Sequence, residues 1–228
     1  MSKAIIIFLM LFSTVATAQV EEAKTGAWYM YFFNHDFKNS EFCIQGDIQY
    51  RNWNIAGDLE QLLLRTGLTY SPKESNVKFT LGYANITTGT PGDSNENSGE
   101  NRLYQEALLP QKILNRVFLT HRFRYEQRFV ENQDFRTRYR YNLFINVPLN
   151  KKVLEEKALY AAFYNELFIN GQQNIGNNRT VELFDRNRTY LGLGYVLKPS
   201  VRFQLGWMNQ KTSNWGKGQL QLSMHHNF

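Results

Sequence analysis

The sequence lacks most of what an enzyme or a metal protein would need. It has one cysteine, Cys43, so an internal disulfide and a cysteine-based metal cluster are both excluded. No run reaches the ~20 consecutive apolar residues that a membrane helix requires. Helical periodicity is nearly absent, and neither a glycine-rich phosphate loop nor an internal repeat beyond the strand period is present. The histidines are four: His35, His121, His225 and His226. Nucleophilic catalysis needs a hydroxyl or thiol beside a histidine that a third group orients. His35 stands next to Asp36 but near a turn, with Ser40 the nearest hydroxyl in sequence, and no arrangement specifies a triad. His225 and His226 point to opposite faces of a strand and cannot easily share one metal ion. No cofactor is implied.

What is present begins with the two ends of the chain. Met1-Ser-Lys3 is a short basic start, Ala4 to Phe12 is apolar, and Ala16-Thr-Ala18 offers small residues for cleavage before Gln19. That is the anatomy of a secretory signal peptide over 1–18, followed by a mature chain over 19–228. The residue after the cut is Gln rather than Cys, which argues against a lipid anchor. At the other end, Leu220, Leu222, Met224, His226 and Phe228 share one face, while Gln219, Gln221, Ser223 and His225 share the other. A strand with an apolar outer face, a polar inner face and a terminal aromatic residue is how transmembrane barrels finish; a half-buried strand of a soluble sheet has the same period.

Composition agrees with strands. Aromatic residues make up 15% of the chain, with 13 Tyr and 17 Phe, although hydrophobic residues are only 43%. Such a share suits the aromatic girdles where a barrel meets its two interfaces. The formal charge of +6, or +5 once Lys3 is removed, would suit nucleic acid, but an exported chain meets little of it. Anionic lipopolysaccharide, outer-membrane lipid and small anions are the partners expected instead, with the barrel-assembly machinery during biogenesis.

Alternation recurs along the whole mature chain. In 40–53, Phe42, Ile44, Gly46, Ile48 and Tyr50 face one way, and Glu41, Cys43, Gln45, Asp47, Gln49 and Arg51 the other. The same pattern runs through 59–70 and 77–85, then 27–37, 102–109, 116–130, 135–147, 158–170, 187–197, 201–210 and 219–228. These are eleven candidate strands of an all-β, transmembrane, antiparallel up-and-down barrel. Bacterial single-chain barrels have even strand numbers, so the expectation is ten or twelve, with twelve favoured. Counting back from a periplasmic C-terminus puts 198–200, 111–114 and 71–76 on the short-turn side. The polar stretches 87–101 and 171–182 fall on the outer side, and the charged connection 148–157 is long for a periplasmic turn.

The densest chemistry lies on two adjacent strands. Thr120, Arg122, Arg124, Glu126 and Arg128 share a face in 116–130, as do Arg136, Arg138, Arg140, Asn142, Phe144 and Asn146 in 135–147. Each arginine would cost ~2–4 kcal/mol at the bilayer midplane, so this face must look into the lumen. A short hairpin pairing 130 with 134, or 131 with 135, sets Glu126 opposite Arg138 or Arg140. Two readings stand. One is a packed network that draws on Glu60, Glu106, Glu126 and Glu166 and closes the barrel; the other is an anion-attracting pore lining. Gly192 and Gly194 relieve crowding inside the wall or bend the strand.

His121-Arg-Phe-Arg-Tyr-Glu-Gln-Arg128, Arg136-Thr-Arg-Tyr-Arg140, Asn165-Glu-Leu-Phe168 and Asp185-Arg-Asn-Arg188-Thr-Tyr-Leu-Gly-Leu-Gly-Tyr195, with Trp28 and Arg51, resemble the family called domain of unknown function 2490. The resemblance spans essentially the whole mature chain. It implies an outer-membrane barrel of Gram-negative bacteria, frequent in Bacteroidota, with no established activity and no catalytic residues to carry over. Three functions follow as expectations: a small channel for anionic or polar solutes, a closed structural or surface-interaction barrel, and a lipid-modifying enzyme.

If Phe228 and its strand are the signal for assembly, deleting Phe228 lowers the outer-membrane yield without producing a soluble folded product. Full-length protein recovered soluble from the periplasm would sink the barrel reading.

Overall fold

A computed structural model describes residues 24–92 and 96–228; the expected signal peptide, 1–18, lies outside them. Eleven strands form: β1 (Gly26–Asp36), β2 (Phe42–Asn52), β3 (Leu59–Tyr70), β4 (Lys78–Gly89), β5 (Asn97–Ile113), β6 (Val117–Val130), β7 (Arg136–Pro148), β8 (Leu159–Asn170), β9 (Phe184–Lys198), β10 (Val201–Lys211) and β11 (Gly216–Asn227). They close into one barrel in which each strand pairs with its neighbours in sequence and β1 pairs with β11. No helix forms among the described residues.

The even strand number is corrected to eleven. The first segment does join the wall, and no further strand forms among the described residues. With an odd count the first and last strands run in the same direction, so the seam is parallel, from Gly26 opposite Gln219 to Asn34 opposite Asn227. Every consecutive pair remains antiparallel. Closure leaves no edge of unpaired N–H and C=O groups, which is the requirement for a sheet without a covering layer.

The polar stretch 87–101 is less of a loop than its composition suggests. Ile86 to Gly89 pair with Glu100 to Asn97, so β5 extends well before Arg102 and the connection shrinks to 90–96. A ladder needs partnered backbone, not apolar side chains, and polar strands can continue it beyond the apolar zone. One rim carries connections 53–58, 90–96, 131–135, 171–183 and 212–215; the rim beside the C-terminus carries 37–41, 71–77, 114–116, 149–158 and 199–200. The contrast between long and short is therefore modest.

The faces are inverted relative to a soluble sheet. Outward Ile48, Leu81, Leu191 and Leu205 are 49%, 63%, 65% and 53% exposed, whereas inward Glu126, Arg138 and Glu166 are 1%, 3% and 3% exposed. Away from strand ends and bulges, outward positions carry no Arg, Lys, Asp or Glu. Among the described residues the buried apolar clusters are Leu63 with Ala84 and Ile86, and one around Trp28, Tyr160, Tyr190 and Met208, beside single buried rings such as Phe168 and Tyr104.

Inward glycines make room for rings laid flat against the wall. A Cβ on Gly194 would lie 2.1 Å from Cζ of Tyr160, and one on Gly82 would lie 2.3 Å from Cζ of Tyr104. The tyrosine covers backbone that glycine leaves bare, and its hydroxyl accepts a hydrogen bond from Gln204 Nε2 at 3.0 Å in the case of Tyr160. Gly194→Val must displace that ring, and overpacking of this kind costs about 1–3 kcal/mol. Thermal unfolding of the detergent-folded protein is expected to shift down accordingly; an unchanged midpoint would show that the ring is not held there.

Candidate functional site: the arginine-lined lumen

The site is a consequence of two strands with the same alternation and a shared register. In β6 and β7, Glu126 stands opposite Arg138, Arg124 opposite Arg140, and Arg128 opposite Arg136. This is the register that pairs 130 with 134, although the connection itself is the longer 131–135. Like charges directly opposed in a sheet repel, so the arrangement depends on carboxylates at diagonal positions.

Those carboxylates are shared. Glu126 accepts from Arg138 Nε and Nη2 at 2.9 and 2.6 Å and from Arg140 Nη1 at 2.5 Å. Glu166 accepts from Arg140 Nε at 2.9 Å and Arg122 Nη2 at 2.7 Å. Glu106 pairs with Arg124. Glu100 accepts from Arg102 Nε at 2.6 Å and from Arg128 Nη2 at 2.9 Å. Arg136 is buried on β7 but makes no ion pair among the described residues, and its Nε has no partner. Arg188 donates from Nε to Gln210 Oε1 at 2.7 Å instead of to a carboxylate. Phe168, only 1% exposed, has guanidinium carbons of Arg140, Arg188 and Arg138 at 4.4, 4.8 and 5.2 Å from its ring centre. A ring face attracts cations electrostatically, so Phe168 lets several of them crowd one spot.

Two acids enter by a route that alternation does not predict. A bulge between Phe168 and Ile169 of β8 makes Asp185 an extra residue of β9, and it turns to accept from Arg138 Nη1 at 2.7 Å. A second bulge, between Arg51 and Asn52 of β2, leaves Glu60 extra in β3, where it accepts from the indole Nε1 of Trp28 at 2.8 Å. Bulges re-aim side chains in this way. Arg102 and Glu100 escaped notice for a different reason, since Glu100 lies in the stretch whose polarity suggests a loop. Phe168 was signalled by its inward phase and by its place in the motif Asn165-Glu-Leu-Phe168, neither of which shows its role.

The network lines the wall and does not cross the barrel. Eleven strands ~4.8 Å apart and tilted by ~40° enclose a backbone cylinder ~22 Å across. Among the described residues, the lumen ion pairs join strands at most two apart, as in Arg122 on β6 with Glu166 on β8 and Arg138 on β7 with Asp185 on β9. Inside lies a cavity of about 750 Å³ to which every strand contributes, from Ser98 and Val130 at one rim to Asp36 and Asn227 at the other. Its walls hold eleven arginines and Lys78 against five carboxylates. Adding Glu126, Glu60 and Asp185, which stand behind that surface, still leaves the cations in excess.

The remaining residues of interest sit elsewhere. Phe228 donates its N–H to Asn34 O at 2.9 Å, and its ring leans on Phe33, His35 and His226, at the end of the parallel seam. His35 Nδ1 lies 2.6 Å from the Phe228 O, and His225 stacks on Phe32 with ring centres 4.7 Å apart. His121 faces outward and contacts the Tyr141 hydroxyl at 2.8 Å. No group of three or more His, Cys, Asp or Glu that could hold a metal ion occurs among the described residues.

A closed wall with its apolar face outside and a cationic, ion-paired lumen defines the class: a β-barrel with a charge-lined interior. The chain belongs to the family described as "Protein of unknown function (DUF2490)", whose model matches residues 25–221, from just before β1 into β11. No curated protein and no solved structure matches it.

Glu126 is the acid on which the β6–β7 lining depends most. Glu126→Ala leaves two buried guanidiniums short of their main acceptor, and breaking a buried pair from one side costs about 3–5 kcal/mol. Glu126→Gln retains acceptor capacity and is expected to cost less. Denaturant unfolding in detergent would measure both, and a loss within error for the alanine variant would remove Glu126 from this role.

Proposed function

We propose that the chain is an outer-membrane barrel whose lumen admits small anionic solutes. The observation that carries this reading is the excess of guanidinium over carboxylate in a cavity whose lining reaches both rims. Rings of arginine select anions, and a low-dielectric wall concentrates their field along the axis. A cavity of about 750 Å³ suits small ions and organic acids, not polymers.

The membrane setting is supported by the exterior. A continuous outward belt of Leu, Ile, Phe and Tyr, with charged groups confined to the lumen and rims, would aggregate in water. In an outer membrane it faces acyl chains. Trp207, half exposed, and Trp53 at the end of β2 are suited to anchor the interfaces, and the cationic chain would meet lipopolysaccharide at the outer rim. A leader peptide over 1–18 and recognition of the closing strand by the barrel-assembly machinery complete the route.

A second reading, a closed barrel whose rims do the work, is favoured by the degree of pairing: Arg124, Arg128, Arg138 and Arg140 all have carboxylate partners. Bilayer recording separates the two. An open lumen gives discrete conductance that prefers chloride over potassium, with the preference fading as salt screens the field. Replacing Arg124 and Arg140 by Gln removes two charges, so the preference falls. Silent traces from refolded wild type, with the double variant only lowering thermal stability, would assign the closed barrel.

A further inference from the structure

Most lumen arginines are held by carboxylates, but two are held by neutral amides. Arg51 donates from Nε and Nη2 to Gln49 Oε1 at 3.1 and 2.6 Å, and from Nη1 to Gln61 Oε1 at 2.7 Å. Arg188 donates from Nε to Gln210 Oε1. Neither makes an ion pair to a carboxylate among the described residues. Both guanidiniums lie over the indole of Trp28, at 3.9 and 4.7 Å from its centre, and they approach from the two sides of β1, since Arg51 belongs to β2 and Arg188 to β9. An amide oxygen orients a guanidinium without neutralising it, whereas a carboxylate does both. The same device used twice around one aromatic ring fixes two cations and keeps their field available.

At the indole itself the two guanidiniums meet one carboxylate, Glu60, which takes the ring N–H; Glu166 stands opposite Arg188 in the ladder but is bonded to Arg140 and Arg122. The surroundings are rich in neutral hydrogen-bonding groups. Tyr164 donates its hydroxyl to Gln221 Oε1 at 3.0 Å, and Gln221 Nε2, on a side chain 3% exposed, has no partner. Trp28, Arg51, Arg188, Gln61, Tyr164 and Gln221 all line the cavity.

We propose that Arg51, Trp28 and Arg188 form a binding subsite in the lumen for a monoanionic, hydroxylated organic acid, with the carboxylate between the two guanidiniums and the hydroxyls on the glutamine amides and Tyr164. A surplus of one positive charge matches one carboxylate and disfavours a dianion. Neutral amides that accept and donate suit hydroxyl groups, which do the same. This inference rests on the lumen admitting anions, and it adds which ones are retained.

The test uses the full mature chain refolded in detergent and sodium D-glucuronate as probe, followed by titration calorimetry. Saturable binding is expected, stronger than for acetate, which lacks hydroxyls, and for glucose, which lacks charge. Arg51→Gln and Arg188→Gln should each weaken it about tenfold or more, as expected when a charge-assisted pair is lost. Arg188→Lys retains the charge without the planar fork and should fall between; it serves if the glutamine variants do not fold. Glucuronate binding no better than glucose, stronger binding of phosphate, or indifference to all these substitutions would overturn the subsite. Binding without any bilayer current would remove the passage and keep the subsite; anion-selective current with no glucuronate binding would do the reverse.

Discussion

Closure of the hydrogen-bonded ladder is the constraint from which the rest of this structure follows. A sheet can expose apolar side chains on one face and store charge on the other only if no strand edge is left unpaired, because an open edge in an apolar medium forfeits several kcal/mol per group. Here closure is completed by the parallel pairing of β1 with β11. Parallel pairs are slightly weaker per residue than antiparallel ones, and this seam is reinforced by side chains. Tyr31 contacts His226 Nδ1 at 3.0 Å, Phe32 stacks on His225, and Phe228 is tied to Asn34 and His35. The cluster of aromatic and histidine residues near the C-terminus is therefore accounted for by the seam it covers.

Once the wall is closed, the interior can be charged, and the choice of arginine over lysine follows from geometry. Desolvating an ion costs several kcal/mol, which only multiple well-aligned partners offset. A guanidinium has five N–H donors in a rigid fork and can contact two acceptors at once, as Arg138 does with Glu126 and Asp185 and Arg140 with Glu126 and Glu166. It also stacks, which an ammonium does less well in a flat, crowded space, and Phe168 and Trp28 each support more than one. Sharing Glu100, Glu126 and Glu166 each between two arginines keeps those pairs stable while leaving the lumen short of negative charge.

How much of this was legible depends on whether a feature obeys the two-residue period. The facing of Ile48 and Asp47, of Leu64 and Arg65, and of the arginines in β6 and β7 is written in the alternation, and so is the register that brings Glu126 to Arg138. Strand parity is not: nothing local distinguishes a first strand that joins a parallel seam from one that stays outside the wall, and a rule about even numbers overrode eleven correct segments. Asp185 was hidden because a bulge reverses facing by one residue, and a second bulge explains how Glu60, named among the acids of the network, turns inward against the alternation of its strand. Strand length at the rim was hidden because Asn97 to Glu100 pair through backbone alone. What failed to show in the sequence is in each case a backbone event that side-chain chemistry does not signal.

The contrast between two kinds of lumen arginine, to neither of which Arg136 belongs, is the last consequence of these constraints. Carboxylate-held arginines such as Arg138 stabilise the wall, and their field at a distance is largely cancelled by their partners. Amide-held arginines such as Arg51 and Arg188 contribute less to neutralising the interior, and their charge acts on whatever occupies the cavity. Both kinds cannot be maximised together: another acid beside Arg188 would stabilise the wall and remove the attraction, and an unpaired Arg138 would do the opposite. The structure resolves this by position. Paired arginines gather where β6, β7 and β8 bring Glu126 and Glu166 into neighbouring ladders, and under-neutralised ones stand around Trp28, where a π face and three glutamine side chains hold them without an opposing charge for each. On the proposed reading of an anion-admitting lumen, the second kind is the part of the lining whose field is left for a solute.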